Sequence, residues 1–272
     1  MPEGPELFRV ARRIQRALGR APLIEARCAF DAVDRRLVGR VGGPPPRVTT
    51  LGKALMLVFD DGARVYTHNQ LYGRWMFSAP DRRPDTARQL RLVLSTEQRS
   101  ALLYSASEIE WVEPGATHPF LDRVGLDVLS SDASVETIAQ WIGRAGFRRR
   151  QLGHLLLDQG FLAGVGNYLR SEILFMACLS PGHRPMDLDD HRLEALAEAV
   201  HTLMWRSVET GGITNDPDRA EALKRSGWAR RDYRHYVFSR ADQACFACDG
   251  VIEKVEVSGR RLYRCPRCQP PP

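Results

Sequence analysis

Cys245-Phe246-Ala247-Cys248 and, sixteen residues further on, Cys265-Pro266-Arg267-Cys268 are the two stretches from which the architecture is read. Each pair has the spacing of a metal-binding knuckle, and the chain between them is long enough for a hairpin, as in a zinc ribbon. Two disulfides are the competing arrangement, and a reducing cytosol disfavours them. Four thiolates leave no open coordination position, so the expectation is one structural Zn2+ held by Cys245, Cys248, Cys265 and Cys268. A unit this short has no core of its own and must be carried by the rest of the chain. Cys28 and Cys178 stand apart from it, as small core residues.

Working outward, the charge is concentrated near this clasp. The 272 residues carry a net charge of +6. Residues 219–240 hold seven Lys/Arg against Glu221 and Asp232, and residues 254–267 hold five against Glu256. The remainder is net acidic. A localised basic region suggests a polyanion such as nucleic acid, and arginine's predominance over lysine suits a planar fork on phosphate. A solvated charged face is the plainer alternative. No apolar run approaches the ~20 residues of a membrane helix, and no charged-then-apolar leader is present, which points to a cytoplasmic protein.

Hydrophobic periodicity divides the rest. Leu7, Val10, Ala11, Ile14, Ala17 and Leu18 share one face of a helix over residues 6–18. From about residue 23 to 112 the pattern becomes short β-rich runs, at 54–59, 63–67, 74–77, 90–94 and 101–104, separated by Asp-Gly, Pro-rich or charged turns. This predicts an antiparallel sandwich or flattened barrel with the helix packed on it. Beyond Ser130-Ser131-Asp132 the chain turns helical: 135–142 capped by Ser134, 152–157, 167–177, and a fourth helix starting near Asp189 or Asp190. Residues 211–234 read as a polar, basic, weakly patterned loop with partial order.

Four further places carry chemistry. Met1-Pro2-Glu3 would lose its methionine, because proline is small enough for removal. That leaves a secondary amine whose ordinary pKa of about 7.7–8.0 keeps a nucleophilic fraction near neutrality. Attack on a sugar C1′ or a carbonyl gives an iminium with no N–H to lose, a persistent electron sink suited to elimination. An inert N-terminus is the bland alternative. Gly52-Lys53 sits in a turn before a strand, where a lone lysine is usually solvated. Asn69-Gln70-Leu71-Tyr72-Gly73 offers a base-stack wedge or a buried Leu-Tyr corner. In Gln159-Gly160 through Gly164-Val165-Gly166-Asn167, the glycines allow close backbone approach to a phosphate, and Asn167 either caps the following helix or donates to that phosphate.

Together these pieces resemble the family of bacterial base-excision glycosylases that includes formamidopyrimidine-DNA glycosylase and endonuclease VIII. The residues that carry the resemblance are Pro2-Glu3-Gly4-Pro5-Glu6, Gly52-Lys53-Ala54-Leu55, His68-Asn69-Gln70-Leu71-Tyr72-Gly73, Leu103-Tyr104-Ser105-Ala106-Ser107, Thr117-His118-Pro119-Phe120, Leu156-Leu157-Asp158-Gln159, Gly164-Val165-Gly166-Asn167-Tyr168-Leu169-Arg170 and the cysteine clasp with Arg260 in its hairpin. Pro2-Glu3-Gly4-Pro5 and Gln70-Leu71-Tyr72 look like the endonuclease VIII branch. The resemblance implies an α+β multidomain fold: a helix-flanked antiparallel β-sandwich over residues 1–130, a helix–two-turn–helix domain over 131–239 and a zinc finger over 240–272, with DNA in the cleft between. It implies a bifunctional DNA glycosylase and AP lyase acting on damaged double-stranded DNA as a cytoplasmic, nucleoid-associated monomer. Pro2 would attack C1′ of a flipped nucleotide, Glu3 would act as acid and base, Lys53 would hold a phosphate and assist proton traffic, and Glu6 would order the site. Gln70, Leu71 and Tyr72 would fill the gap left by the everted base, while Asn167 and Arg260 grip the backbone. Residues 211–234 depart from the endonuclease VIII pattern, and Arg261 competes with Arg260 as phosphate ligand. Oxidised pyrimidines are the expected substrates; oxidised purines, or a non-catalytic zinc-ribbon nucleic-acid-binding protein, are the alternatives.

Overall fold

The computed structural model describes residues 2–272, so the expected removal of Met1 concerns a residue outside the described ones. The chain divides into two compact units, the first ending at Asp122 and the second running from Arg123 to Pro272.

The first unit opens with α1 (Gly4–Leu18), then β1 (Leu23–Cys28), α2 (Asp31–Val38), β2 (Arg47–Leu51), β3 (Ala54–Val58), β4 (Arg64–His68), β5 (Arg74–Ser78), β6 (Leu90–Thr96), β7 (Ser100–Tyr104) and β8 (Glu108–Val112). The strands form two antiparallel four-stranded sheets, ordered β1-β6-β7-β5 and β2-β3-β4-β8. Strand side chains alternate between faces. One set, Leu55, Leu57, Val65 and Ile109, joins Leu92, Leu94, Ala101 and Leu103 of the other sheet in the core. Leu7, Ala11, Ile14 and Leu18 bury the apolar stripe of α1, and Arg9, Arg12, Arg13 and Arg16 stay exposed, as the periodicity predicts. The opposite face of the second sheet, Ala54, Met56, Tyr66 and Val112, is covered by Phe120 and Leu121.

The stretch read as uniformly β contains a helix, α2. Asp31 and Asp34 in its first turn and Arg35 and Arg36 in its last complement the helix dipole, and Val33 and Leu37, four apart, are buried.

The second unit comprises β9 (Leu126–Asp127), α3 (Val135–Ile142), α4 (Leu152–Leu155), β10 (Leu162–Ala163), α5 (Asn167–Met176), α6 (Asp190–Thr210), α7 (Pro217–Arg225), α8 (Arg230–Tyr233), β11 (Glu253–Val257) and β12 (Arg260–Arg264). Ser134 caps α3 by accepting from the Thr137 N–H at 3.1 Å, and Asp189 caps α6 by accepting from Arg192 N–H at 2.8 Å. α4 ends two residues earlier than the apolar run suggested.

Residues 211–234 are not a loop. Asp216 accepts from Arg219 N–H at 2.9 Å with Pro217 at the first helical position, an Asp-Pro start that founds α7. The segment is tied down where Arg206 Nη1 donates to Thr214 O at 2.9 Å. Its low hydrophobicity concealed this, because α7 buries only Ala220. Among the described residues no helix is long and apolar enough to cross a membrane.

Candidate active site and nucleic-acid interface

At the start of the first unit, Glu3 is the N-cap of α1 and Glu6 its third residue, the pair forming a capping box in which Glu3 N–H donates to Glu6 Oε2 at 2.9 Å. Glu3, the residue that follows Pro2, is therefore held at the start of the helix. α1 runs antiparallel to β2: Val48 N–H donates to Gln15 Oε1 at 2.9 Å, and Leu23 N–H, past the helix end, donates to Gly43 O at 2.9 Å. Back from Gln15 to Glu3 the helix rises ~18 Å. Forward from Val48 to Lys53 the strand advances ~17 Å. The N-terminus and the Gly52-Lys53 turn thus lie at one end of the unit. Leu51 pairs with Ala54, leaving a two-residue turn whose first position, Gly52, has φ +57°, a conformation that favours glycine.

Glu3 and Lys53 are each 4% exposed, so the solvated-lysine alternative does not describe Lys53. Burial of a lysine is rare, because the ammonium loses hydration unless other groups replace the water. His68 pairs across from Ala54 and from Glu108 at the same end. Burial chiefly, and the Lys53 charge, lower the His68 pKa below its ordinary value, while Glu108 opposes them.

The Asn69-to-Gly73 loop continues from His68. Gly73 N–H closes it on Asn69 O at 2.7 Å, and a Cβ at Gly73 would lie 2.5 Å from that oxygen, which is why the position is glycine. Leu71 and Tyr72 are 68% and 70% exposed, so the buried-corner alternative does not describe them. Gln70 behaves differently. With φ +47°, it donates N–H to His68 Nδ1 at 3.2 Å and Nε2–H to Glu108 Oε2 at 3.0 Å, and accepts from Ser107 Oγ at 3.0 Å.

In the second unit the glycine turn is closed by Gln159, whose Nε2 donates to Val165 O at 3.0 Å and whose Oε1 accepts from Gly164 N–H at 3.1 Å. Gly166, not Asn167, is the N-cap of α5. Asn167 instead donates Nδ2–H to Arg261 O at 2.8 Å and accepts on Oδ1 from Arg170 Nη2 at 2.9 Å, so the capping alternative fails. Arg170, quoted above only as part of a motif, is fully buried. Its guanidinium donates to Gly153 O at 2.9 Å, Val257 O at 3.2 Å, Arg260 O at 3.4 Å and Arg261 O at 3.2 Å. α5 therefore holds the β11–β12 turn by its carbonyls and leaves the Arg260 and Arg261 side chains exposed. The signal that could have found it is Arg170 three residues after Asn167, on the same helical face.

A second rivet is Glu172. Its carboxylate, fully buried, accepts from Tyr236, Val237 and Phe238 N–H at 2.7, 2.8 and 2.9 Å and from Thr214 Oγ at 2.6 Å. Burial pushes its pKa up, and these bonds oppose the shift. Together they fix the chain that enters the cysteine clasp.

The sulfurs of Cys245, Cys248, Cys265 and Cys268 lie within 4.8 Å of one another, 3.9 Å for Cys245–Cys268 and 3.4 Å for Cys248–Cys265. A tetrahedral site with metal–sulfur bonds of about 2.3 Å requires sulfurs about 3.8 Å apart, so the cluster is shaped to hold a metal and not two disulfides. Gln269, fully buried, accepts on Oε1 from Cys265 N–H at 2.9 Å and donates Nε2–H to Leu179 O at 2.9 Å, fastening the knuckle to the helical part.

Comparison with known proteins agrees with this geometry. The model of the formamidopyrimidine-DNA glycosylase H2TH domain matches residues 124–218. Endonuclease 8 of Shigella flexneri is 41% identical over 271 residues, 99% of this chain and 100% of that protein. Endonuclease 8 of Klebsiella pneumoniae is 42% identical over the same shares. The chain belongs to the formamidopyrimidine-DNA glycosylase/endonuclease VIII family. Among solved structures, Lactococcus lactis formamidopyrimidine-DNA glycosylase bound non-covalently to DNA with an abasic site has a TM-score of 0.77 at 18% identity, over 98% of this chain and 99% of that one. MutM bound to DNA containing carbocyclic 8-oxo-G has a TM-score of 0.78 at 19% identity, over 99% and 100%. The family fold expected from the resemblance is thereby shown, helix–two-turn–helix segment included.

Proposed function

We propose that this DNA glycosylase and AP lyase of base-excision repair excises oxidised pyrimidines from duplex DNA, with Pro2 as nucleophile. The Pro2 amine attacks C1′ of the everted nucleotide and the C1′–base bond breaks. Glu3 delivers a proton to the ring oxygen as the sugar opens to the iminium. The iminium acidifies C2′–H; loss of that proton expels the 3′ phosphate, and a second elimination expels the 5′ phosphate. The observation that carries this reading is that Glu3, the N-cap of the helix that Pro2 precedes, and Lys53 are both buried.

Lysine stands at only three positions, 53, 224 and 254, against 39 Lys+Arg in all. Where arginine is so strongly preferred, a buried lysine argues for a compact cation that can give up a proton, which arginine does not do. Lys53 therefore both holds a lesion-side phosphate and moves protons during elimination. Leu71 and Tyr72, with Gln70, fill the stack, and Asn167 and the Arg260 side chain hold the backbone. Four soft thiolates suit Zn2+, which on this reading is a structural cross-link that keeps the Arg260 hairpin presented. The pyrimidine branch is favoured because the relatives at 41–42% identity are named endonuclease 8, whereas the two solved structures described above are 18% and 19% identical.

The test is borohydride trapping of the processed protein on duplexes carrying thymine glycol or 8-oxoguanine. A covalent adduct and double elimination with thymine glycol are expected. Trapping with 8-oxoguanine alone would keep the chemistry and overturn the substrate; no adduct with either would overturn the nucleophile.

A further inference from the structure

The wedge loop is braced in advance. Besides the Gly73–Asn69 closure, Arg88 Nη1 donates to Tyr72 O at 2.7 Å. Both ends of the Gln70 amide are occupied, by Ser107 and Glu108, and its backbone N–H is taken by His68. Two of these partners lie at strand ends: His68 ends β4, Glu108 begins β8, and the two face each other in register. Gln70 adopts a left-handed φ of +47° that non-glycine residues avoid without compensating contacts. Its bonds supply that compensation, and the backbone leaving it directs Leu71 and Tyr72 into solvent.

From this we infer that Glu108, with Ser107, is a positioning residue for lesion recognition: it holds Gln70 in the turn that presents Leu71 and Tyr72 as a preformed wedge. The inference rests on the wedge role proposed above. A preformed loop avoids the ordering entropy that a mobile one spends on insertion. Duplex substrates need insertion, because the damaged base must be everted and its place filled. A single-stranded abasic site needs neither. Glu108 therefore acts on the first and not on the second, and it acts through Gln70.

The measurement is the ratio of kcat/KM for a thymine glycol duplex to the cleavage rate of a single-stranded abasic oligonucleotide. It is taken for the full-length protein and for S107A, E108A, E108Q, Q70A, Y72A and the Q70A/E108A pair. Normalising to the single strand removes any loss of fold or of catalytic chemistry. E108A should lower the ratio about tenfold and S107A less. E108Q, which still offers an acceptor to Gln70 Nε2, should restore most of the loss. Q70A/E108A should fall no further than Q70A alone, because the two residues act in series. A ratio unchanged in E108A, no recovery in E108Q, or multiplied losses in the pair would overturn the assignment while Y72A still lowers the ratio. A parent-like Y72A would instead show that the wedge reading itself is wrong, and the latch falls with it.

Discussion

Replacing Arg170 by methionine should undo the attachment of the β11–β12 turn to α5. The side chain is fully buried, and its guanidinium donates to four main-chain carbonyls and to Asn167 Oδ1. A hydrogen bond from a charged group contributes roughly 1.5–3 kcal/mol, but these share one fork and the three to the hairpin are 3.2 Å or longer, so they are not additive. Methionine fills much of the volume and leaves the carbonyls without their donor, a loss of about 4 kcal/mol by comparison with broken buried charge networks. With a urea slope of about 2 kcal/mol/M, the midpoint of the second unit should fall by about 2 M. Arg170→Lys keeps the charge but not the fork and should lose about half as much. Urea titration by tryptophan fluorescence gives the magnitude, and hydrogen exchange over residues 253–264 locates it, since hairpin amides should lose protection before those of α6. A midpoint within about 0.25 M of the parent, or unchanged hairpin protection, would refute the riveting argument.

Other consequences are equally direct. Pro2→Gly, with Met1 removed, should abolish most base excision while undamaged duplex is bound as before, measured by excision kinetics beside fluorescence anisotropy. Lys53→Arg should lower strand cleavage at least tenfold despite the retained charge, because the enclosed site suits a compact ammonium; full activity in single-turnover assays would contradict the proton-transfer role. Cys265→Ser should weaken DNA binding through a disordered hairpin and cut metal content by mass spectrometry, and equally tight binding by the metal-depleted variant would exclude a structural metal role. His183 and His235 should titrate below the ordinary histidine pKa of about 6.5, because burial penalises their charged forms and Arg192, or Arg234 and Arg230, repel the proton. A depressed base pKa means that the folded state binds fewer protons than the unfolded one. The stability these two groups confer is thus complete above about pH 6.5 and is lost as pH falls through that value and below. NMR titration of their ring protons is the check.

How much of this was legible in the sequence depends on the kind of interaction. α1, five of the eight sandwich strands (β3 to β7) and α3 follow from local periodicity and a visible cap, so residues such as Ile14, Leu55 and Ser134 announce their places. α2 and α7 were hidden because each is short and buries so little: Val33 and Leu37 in one, Ala220 in the other. The cysteine clasp was readable from spacing alone. The enclosure of Lys53, the grip of Arg170 on a turn some ninety residues away and the bonds of Gln70 to Ser107 and Glu108 were not. Those depend on which elements meet in space, and no local pattern records a buried cation's acceptors.

The attachment of α5 to the hairpin has an evolutionary corollary. Asn167 and Arg170 hold residues 260 and 261 by carbonyl oxygens, which every amino acid possesses. The mounting is therefore indifferent to what is mounted. Side chains at the turn can be exchanged, lengthened or reversed in charge without loosening the part that carries them, and selection can explore new contacts there while the fastening stays the same. Changes at Asn167 or Arg170 enjoy no such freedom, since they alter the fastening for every sequence the turn could bear.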